Sequence, residues 1–225
     1  MKVLIIEDEK ELSEVISSYL TDAGYTCEQA SNLERAVDKI SIYEYDILLL
    51  DIGLPDGNGL DLINTIKQFQ SKTGIIIVSA KNSLDDKITG LDYGADDYMT
   101  KPFQLSELNS RIKAVLRRRH FDGSNMIQFN ELTVDIESKT ALVDQQPLTL
   151  TRKEYELLLF FMVNKNRLLT KEAIAEHLWG DNIDLADNFD FIYTHINNLR
   201  KKIMRKGGTD YIKTVYGMGY KFTDA

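Results

Sequence analysis

The sequence predicts two domains, a doubly wound α/β domain on a parallel sheet followed by a smaller α+β domain. Two observations carry this expectation. Up to about residue 119 short apolar segments alternate with helical segments, whereas from residue 126 short strands lead into three helices and a final hairpin. Alternating strands and helices are typical of parallel sheets, and 225 residues are enough for two separate cores.

Three segments of the first half are short, almost wholly apolar and rich in β-branched residues: Lys2–Ile6, Asp46–Leu50 and Gly74–Val78. Such segments are typical of strands that are buried on both faces of a parallel sheet. Tyr25–Gln29 and Asp97–Met99 are weaker strand candidates.

Apolar residues at helical spacing separate these strands and predict helices with one buried face. The predicted inner faces are Leu12, Val15, Ile16, Tyr19 and Leu20; Leu33, Ala36, Val37 and Ile40; and Leu105, Leu108, Ile112, Val115 and Leu116. Five strand–helix repeats in about 118 residues indicate either the flavodoxin-like or the Rossmann strand order.

The segment from residue 120 to residue 125 is polar, contains Gly123 and lacks periodicity, so we expect a linker between domains 1–119 and 126–225. Small strands follow the linker, and we expect them at Met126–Phe129, Leu132–Asp135, Ala141–Val143 and Pro147–Leu150. Turn residues separate these segments.

Three helices and a hairpin complete the second half. Thr151 and Glu154 form a predicted capping box that opens a helix, and Thr170 opens the next one. The predicted inner faces of the three helices are Tyr155, Leu158, Leu159 and Met162; Ile174 and Leu178; and Ile192, Ile196, Leu199 and Ile203. Two strand segments about the Gly217–Gly219 turn close the chain, and this order of elements predicts a winged helix-turn-helix.

The composition is that of a globular protein with an uneven charge. The net charge is −8, yet the stretch 192–206 holds five basic residues and no acidic one: Arg200, Lys201, Lys202, Arg205 and Lys206. A local basic stripe matters more for DNA binding than the net charge of the whole chain.

The sequence lacks the features of a membrane or secreted protein. The longest apolar run, Leu157–Val163, is too short to span a membrane, the N-terminus lacks a signal-peptide cleavage region, and Cys27 is the only cysteine. We therefore expect a cytoplasmic protein without membrane association.

Polar residues occur where the predicted strands of the first half end. Glu7 and Asp8 follow the first strand, Asp51 follows the third, Ser79 follows the fourth and Lys101 follows the fifth. Because the carboxyl ends of parallel strands share one edge, these side chains are expected to converge there. Crowded carboxylates need a cation, and an all-oxygen ligand set suits Mg²⁺. A carboxylate beside a metal, a lysine and a hydroxyl can accept a phosphoryl group as an acyl phosphate.

These motifs resemble the receiver domain of two-component response regulators. The resemblance rests on Glu7-Asp8, on Asp51 within LLLDIGLPDGNG, on Ser79-Ala80 and on GADDYMTKPF, which ends in Lys101-Pro102-Phe103. Together with the C-terminal domain, the last motif is similar to the OmpR/PhoB class, and the likeness covers essentially the whole chain. It implies a flavodoxin-like (βα)5 receiver followed by a winged-helix DNA-binding domain.

The resemblance also assigns roles within the acidic site. It implies that Asp51 accepts the phosphoryl group from a histidine kinase, and that Asp8, with Glu7 behind it, and the carbonyl of Gly53 hold Mg²⁺ together with Asp51. Lys101 is then expected to pair with the phosphate and to precede a cis proline. Ser79 and Tyr98 are expected to be the switch residues that move after phosphorylation.

The same likeness implies that phosphorylation promotes a homodimer. The expected interface lies on the fourth helix, the fifth strand and the fifth helix, and its candidate residues are Lys87, Asp96, Asp97, Glu107, Arg111 and Arg118. The suggested cross-dimer ion pairs are Lys87 with Glu107 and Asp97 with Arg111. From the residues alone, a solvated charged face is the other interpretation, because exposed ion pairs stabilise by only about 0–1 kcal/mol.

The third helix of the second half is the expected recognition helix for the major groove of double-stranded DNA. Burial of its apolar face turns Thr194, Asn198 and Lys201 outward. The full set of candidate DNA contacts is Thr194, His195, Asn197, Asn198, Arg200, Lys201, Lys213 and Tyr216.

The chain departs from the family pattern in this region, which puts the target sequence in doubt. Asn188 and Asp190 stand where many relatives carry arginine, Asn197-Asn198 replaces an arginine-rich pair, and Tyr216 replaces a frequent wing arginine. The family also implies an RNA polymerase contact at Trp179 and the loop Gly180–Asn188, although the favoured interpretation of Trp179 itself is a core residue.

Other functions remain alternatives. A phosphatase of the haloacid-dehalogenase type uses a similar Asp, Ser, Lys and Mg²⁺ set, but it needs an acid two residues after the nucleophile, where this chain has Gly53. A flavin carrier needs a phosphate-binding loop after the first strand, where acidic residues stand instead. A DNA-binding regulator that works without phosphorylation is the third alternative. The favoured function is a phosphorylation-activated transcriptional regulator, not an enzyme.

Overall fold

The computed structural model describes residues 1–69, 73–120, 123–180 and 189–224, except for the side chains of residues 68, 69, 120 and 190. The chain divides into two compact units, Met1–Gly123 and Ser124–Ala225. This division falls within the stretch 120–125; the bounds of the linker itself stay a prediction. None of the helices in the described ranges combines the length and apolar character that a membrane span requires.

The first unit alternates strands and helices. In chain order its elements are β1 (Lys2–Ile6), α1 (Lys10–Asp22), β2 (Thr26–Ala30), α2 (Leu33–Ile42), β3 (Ile47–Leu50), β4 (Gly53–Leu54), β5 (Gly57–Asn58), α3 (Gly59–Phe69), β6 (Gly74–Ser79), α4 (Leu84–Asp92), β7 (Asp97–Thr100) and α5 (Leu105–His120). The five predicted strands all occur in the structure. The short β4–β5 hairpin was not predicted.

Five strands form a parallel sheet in the order β2-β1-β3-β6-β7. This is the flavodoxin-like order, which settles the choice that the strand pattern left open. The chain moves from β1 outward to β2 and then returns to β3 on the other side of β1. Ligands of such sheets bind at the carboxyl edge near this reversal, so the topology fixes where a site is expected.

The inner faces of α1 and α2 are narrower than the periodicity predicts. Val15 is 52% exposed and Val37 is 41% exposed, so the prediction that both point inward was wrong. The buried residues of α1 are Ser13, Ile16 and Leu20, and those of α2 are Ala36 and Ile40. Helical spacing places a residue near a face but does not report how far the sheet covers that face.

The second unit contains two antiparallel sheets and three helices. Its elements are β8 (Met126–Phe129), β9 (Leu132–Asp135), β10 (Thr140–Val143), β11 (Gln146–Pro147), α6 (Arg152–Val163), β12 (Leu168–Leu169), α7 (Lys171–Trp179), α8 (Asp190–Arg205), β13 (Ile212–Val215) and β14 (Gly219–Phe222). The sheet orders are β11-β10-β9-β8 and β12-β14-β13. The predicted strand Pro147–Leu150 is shorter and starts earlier, and β12 was not predicted.

The helices of the second unit bury the residues that the sequence indicated. Ile192, Ile196, Leu199 and Ile203 of α8 are each at most 2% exposed. The capping box is confirmed, because the Thr151 side chain accepts from the Glu154 amide while Glu154 accepts from the Thr151 amide at 2.7 Å. The winged-helix arrangement predicted from the element order is therefore present.

A buried ion pair lies near the start of β1 in the parallel sheet. The Lys2 ammonium is completely buried and lies 2.5 Å from a carboxylate oxygen of Glu28, which is itself 3% exposed. The Tyr45 hydroxyl donates to Glu28 at 2.5 Å, and the rings of Tyr43 and Tyr45 each lie 4.5 Å from the Lys2 ammonium. A buried charge tolerates the loss of its partner poorly.

We expect Glu28→Gln to destabilise the first unit by about 3–5 kcal/mol, because it removes a carboxylate that pairs with the fully buried Lys2 ammonium. Hydrogen exchange of the β1 and β2 amides in the full chain measures this opening free energy locally. The double variant Lys2→Met/Glu28→Gln removes both charges and is expected to lose much less. Equal losses in the single and double variants would show that the ion pair is not the cause.

Candidate functional sites

Three carboxylates meet at the carboxyl edge of the parallel sheet. Glu7 and Asp8 follow β1, Asp51 follows β3, and one oxygen of each lies within 4.8 Å of the other two. Glu7 is 3% exposed and Asp51 is 8% exposed, whereas Asp8 is open to solvent. The structure thus brings together the acids that the strand ends predicted, and it leaves one side of the group accessible.

Lys101 bridges two of these acids. Its ammonium lies 2.6 Å from Asp51 Oδ2 and 2.7 Å from Glu7 Oε1. The residue follows β7, and its amide donates to the carbonyl of Ser79 at 2.8 Å, which joins the ends of β6 and β7. The peptide bond between Lys101 and Pro102 is cis, as the family resemblance implied.

The charges of the site shift the pKa values of two members. Burial raises the pKa of Glu7 above its usual value, Lys101 opposes this rise, and the charge of Asp51 adds to it. Burial alone would lower the pKa of Lys101, but its hydrogen bonds to Asp51 and Glu7 outweigh burial and raise that pKa. Lys101 therefore stays protonated at neutral pH and acts as a fixed positive charge.

Three carboxylates and one ammonium leave the site with excess negative charge and with free oxygen ligands. Hard divalent cations take several oxygen ligands, and a group of close carboxylates meets that need. The cluster Glu7, Asp8 and Asp51 could therefore hold a metal ion.

The loop after Asp51 is fixed at both ends. Asp51 Oδ1 accepts from the Gly53 amide at 2.8 Å, and β4 pairs with β5 to form a tight hairpin. Asp56, at the tip of this hairpin, accepts from the amides of Leu33 and Glu34 at the start of α2 at 2.9 and 3.0 Å. The Gly53 amide is therefore bonded to Asp51 itself, and Asp56 ties the hairpin that follows to the start of α2.

Ser79 and Tyr98 lie on the neighbouring strands β6 and β7. Ser79 is 2% exposed, and its hydroxyl oxygen accepts from the Lys81 amide at 3.2 Å. The Tyr98 ring is turned inward and is 8% exposed, and its hydroxyl donates to the Lys81 carbonyl at 2.9 Å. Both candidate switch residues thus contact the same loop between β6 and α4.

The predicted dimer face carries ion pairs within the chain. Arg111 contacts both carboxylate oxygens of Asp97 at 2.9 and 3.0 Å and Glu107 at 2.8 Å. Arg119 pairs with Asp96 at 2.7 Å, and Arg118 donates to the Asp96 carbonyl at 3.1 Å. A dimer that uses Asp97 and Arg111 across the interface would therefore have to share or exchange these bonds.

An exposed apolar stripe on α4 accompanies these charges. Leu84, Ile88 and Leu91 are 72%, 47% and 45% exposed, and the intervals between them place all three on one side of the helix. The dimer-interface candidates that the sequence suggested are all charged residues. The spacing of these three residues predicts an apolar stripe on α4. It does not tell whether that stripe is exposed, because a buried inner face has the same spacing.

A groove of about 770 Å³ runs between α1 and the start of α5. Its lining includes the exposed Val15, the apolar side chains Leu12, Tyr19 and Phe103, and Lys101 of the acidic site. The groove therefore adjoins Asp51 through a shared residue. Val15 therefore lies in this groove and not on the predicted inner face.

The candidate DNA contacts on α8 divide into two groups. Thr194, Asn198 and Lys201 are exposed as predicted, whereas His195 and Asn197 are half-buried. Arg200 is turned toward the hairpin, where it binds the Ile212 carbonyl and the Thr214 hydroxyl. On the hairpin Lys213 is exposed, and Tyr216 at the tip is 98% exposed.

The basic stripe on α8 is therefore only partly available to a ligand. Lys202 donates to the buried Glu154 of α6 at 2.6 Å, which fixes α8 against the first helix of the unit. Lys201 and Arg205 are exposed. A run of cations in the sequence could not reveal this division, because long side chains of neighbouring residues leave the helix in different directions.

Trp179 is half-buried and links α7 to α8. Its ring lies 4.8 Å from the Phe191 ring and 5.5 Å from the His195 ring. Residues 181–188 of the predicted polymerase-contacting loop, including Asn188, lie outside the described residues, as does the side chain of Asp190.

Two family models match the chain, one in each unit. The model described as the response regulator receiver domain matches residues 3–113, and the model described as transcriptional regulatory protein, C terminal, matches residues 145–222. The receiver match covers the acidic site, and the second match covers the three helices and the hairpin.

Two relatives that match along almost their whole length, and one solved structure, agree with these matches. Response regulator ArlR of Staphylococcus haemolyticus is 38% identical over 97% of each chain, and transcriptional regulatory protein PmrA of Pectobacterium parmentieri is 35% identical over 99% of this chain and 98% of that one. Among solved structures, a two-component response regulator from Clostridium difficile is 33% identical with a TM-score of 0.51, covering 52% of this chain and 97% of that one. These similarities show that the chain belongs to the OmpR/PhoB family of two-component response regulators, with a receiver domain followed by an OmpR-type DNA-binding domain.

Proposed function

We propose that Asp51 accepts a phosphoryl group from a sensor histidine kinase and that this modification promotes receiver dimerisation and promoter binding. The observation that carries the proposal is the contact of Lys101 with both Asp51 and Glu7, beside a carboxylate group able to hold a cation. Nucleophile, fixed positive charge and metal ligands thus occupy one partly open site. Such an arrangement stabilises charge that develops on transferred phosphoryl oxygens.

Each residue has a defined part in the transfer. A carboxylate oxygen of Asp51 attacks the phosphorus of a phosphohistidine, the P–N bond breaks, and the imidazole nitrogen takes the bonding electron pair. Lys101 exchanges its contact with Asp51 for a contact with a phosphoryl oxygen. Asp8, Glu7, Asp51 and the Gly53 carbonyl would hold Mg²⁺, which supplies positive charge against the phosphoryl oxygens when bound.

The kinase is proposed to dock on the groove between α1 and α5. A donor histidine must reach Asp51 closely, so its domain must cover the surface around the acidic site. The groove offers apolar contact area at that position and shares Lys101 with the site. Grooves of this kind bind the apolar face of a partner helix.

The apolar stripe of α4 supports the proposed dimer interface. Leu84, Ile88 and Leu91 lie on the helix that also carries Lys87, and β7 and α5 supply the other charged candidates. Interfaces combine a central apolar cluster with a polar rim. This face has both parts.

The second unit is proposed to bind double-stranded DNA through the exposed side of α8. Asn198 and Thr194 are suited to base edges, while Lys201 on α8 and Lys213 and Tyr216 of the hairpin are suited to the backbone. We further propose that the protein acts in the cytoplasm, contacts RNA polymerase, and is a regulator rather than an enzyme.

A DNA-binding regulator that works without phosphorylation remains the second candidate. The contacts of Arg111 with Asp97 and Glu107 within one chain favour it, because a cross-dimer pair of Asp97 with Arg111 would have to break or share them. Labelling with a phosphodonor separates the two functions.

Asp51→Asn is expected to abolish labelling by acetyl phosphate, because the amide is not a competent nucleophile. Removal of Mg²⁺ with EDTA is expected to abolish labelling of the unaltered protein. Intact-protein mass spectrometry measures both effects. Asp61→Asn, an exposed acid on α3, is the matched control and should label normally. Undiminished labelling of the Asp51 variant would contradict the assignment.

Val15→Glu is expected to reduce phosphotransfer from the kinase while acetyl phosphate labelling continues, because the charge spoils the apolar groove but leaves Asp51 intact. A transfer assay from the phosphorylated kinase measures the change. Val37→Glu places the same charge on α2, where Val37 is also exposed, and should have little effect. Equal transfer rates for the two variants would rule out the groove as the docking surface.

Ile88→Glu is expected to weaken the phosphorylated dimer at least about 30-fold, since central apolar residues of interfaces contribute about 2 kcal/mol or more. Sedimentation velocity with beryllofluoride, a phosphoryl analogue, measures the dissociation constant. Ile42→Glu, on the exposed end of α2, serves as the control. If the Ile88 variant dimerises like the control, the α4 stripe is not the interface.

A further inference from the structure

Gly90 lies where α4 packs against the inward ring of Tyr98. A Cβ atom at this position would lie 2.9 and 3.1 Å from Tyr98 Cδ2 and Cε2, and 2.7 Å from Ile77 Cδ1. Real Cβ atoms essentially never show contacts below 3.0 Å. The absence of a side chain at position 90 is therefore a steric condition for the observed position of the Tyr98 ring.

The backbone conformation gives no other reason for glycine here. Gly90 is buried within α4, between Leu84 and Asp92, and has no positive φ angle. Apart from proline, glycine is the least favourable residue for a helix interior. The chain accepts this penalty at an α4 position that faces the Tyr98 ring.

The Tyr98 ring joins α4 to the loop that begins at Ser79. Its hydroxyl donates to the Lys81 carbonyl at 2.9 Å, and the Lys81 amide donates to the Ser79 hydroxyl at 3.2 Å. Ser79 stands at the end of β6, on the same sheet edge as Asp51. The hydroxyl of Tyr98 therefore contacts the β6–α4 loop, and the Cδ2 and Cε2 atoms of its ring lie next to Gly90.

We propose that Gly90 is a positioning residue that permits the inward ring of Tyr98 and thereby couples Ser79 to the exposed stripe of α4. The inference rests on the proposed function, since it explains how an event at Asp51 reaches the dimer face. Ile88 and Leu91 neighbour Gly90 on the same helix but point to solvent. A change in the packing of α4 against Tyr98 therefore also changes the position of the apolar stripe on α4.

The variant Gly90→Ala tests this coupling in the full chain. We expect the inward ring to be displaced, which ¹⁹F NMR of 3-fluorotyrosine detects as a moved Tyr98 resonance, assigned with Tyr98→Phe. The dissociation constant of the beryllofluoride-bound dimer should rise at least about tenfold, which corresponds to about 1.4 kcal/mol. Labelling of Asp51 by acetyl phosphate should continue, because the acidic site is untouched. Thr89→Ala, an exposed change on the same helix, should alter none of these readouts.

Two further backgrounds identify the neighbour that carries the effect. In a Tyr98→Ala background the added methyl group no longer meets the ring, so Gly90→Ala should cost less thermal stability than in the unaltered chain. In an Ile77→Val background, which removes the Cδ1 contact, the loss of dimerisation should persist. If Gly90→Ala alone does not fold, folding of the Gly90→Ala/Tyr98→Ala double variant supports the proposal, and its failure to fold overturns it.

Three results would overturn the inference. They are an unmoved Tyr98 resonance, unchanged dimerisation of Gly90→Ala, and an equal loss of stability with and without the Tyr98 ring. Failure of the proposed function is distinguishable from these results. If the unaltered protein neither labels nor dimerises, the proposed function is wrong, while the resonance and the stability comparison still decide whether Gly90 positions Tyr98.

Discussion

The acidic site depends on an electrostatic balance at one edge of the parallel sheet. The strand order places Glu7, Asp8 and Asp51 close together, where their mutual repulsion would be costly without positive charge. Lys101, supplied by the end of β7, lies within 2.7 Å of two of them and stays protonated because of those contacts. A phosphoryl group on Asp51 would add negative charge to this balance and require its contacts to rearrange.

A contiguous series of contacts links the acidic site to the surface of α4. The Lys101 amide is bonded to the Ser79 carbonyl, the Ser79 hydroxyl to the Lys81 amide, and the Lys81 carbonyl to the Tyr98 hydroxyl. The Tyr98 ring rests against Gly90 of α4, whose outer side carries the apolar stripe. Each step is a direct contact between packed groups, so the proposed coupling needs no long-range field. In the second unit, Lys202 contacts Glu154 and Arg200 contacts the hairpin, and both contacts hold α8 in place.

Much of the fold and the acidic site could be predicted from the sequence because both follow from periodicity and topology. Buried parallel strands are apolar throughout, and polar residues at their ends must share an edge, so Asp51 and Lys101 could be brought together before any geometry was known. The cis peptide before Pro102 followed from the family resemblance. The choice between two strand orders did not follow from the residues, since strand pairing is a long-range property.

Other features could not be predicted from the sequence, also for physical reasons. Periodicity does not reveal that the sheet leaves Val15 uncovered, because the width of a buried face depends on the neighbouring elements. A basic run does not reveal that Arg200 and Lys202 are bound within the unit, because long side chains can turn toward either neighbour. No sequence pattern indicates the role of Gly90, because the missing Cβ matters only in relation to the Tyr98 ring, whose position the sequence does not give.

Selection of DNA ligands from a random pool, with and without beryllofluoride, shows directly whether the acidic site controls DNA binding. We expect beryllofluoride to enrich sequences with two half-sites about 10–10.5 base pairs apart, because a dimer binds two half-sites, whereas untreated protein should enrich at most weak single half-sites. Identical enrichment in both pools would contradict the claim that a charge at position 51 controls how two protomers bind DNA.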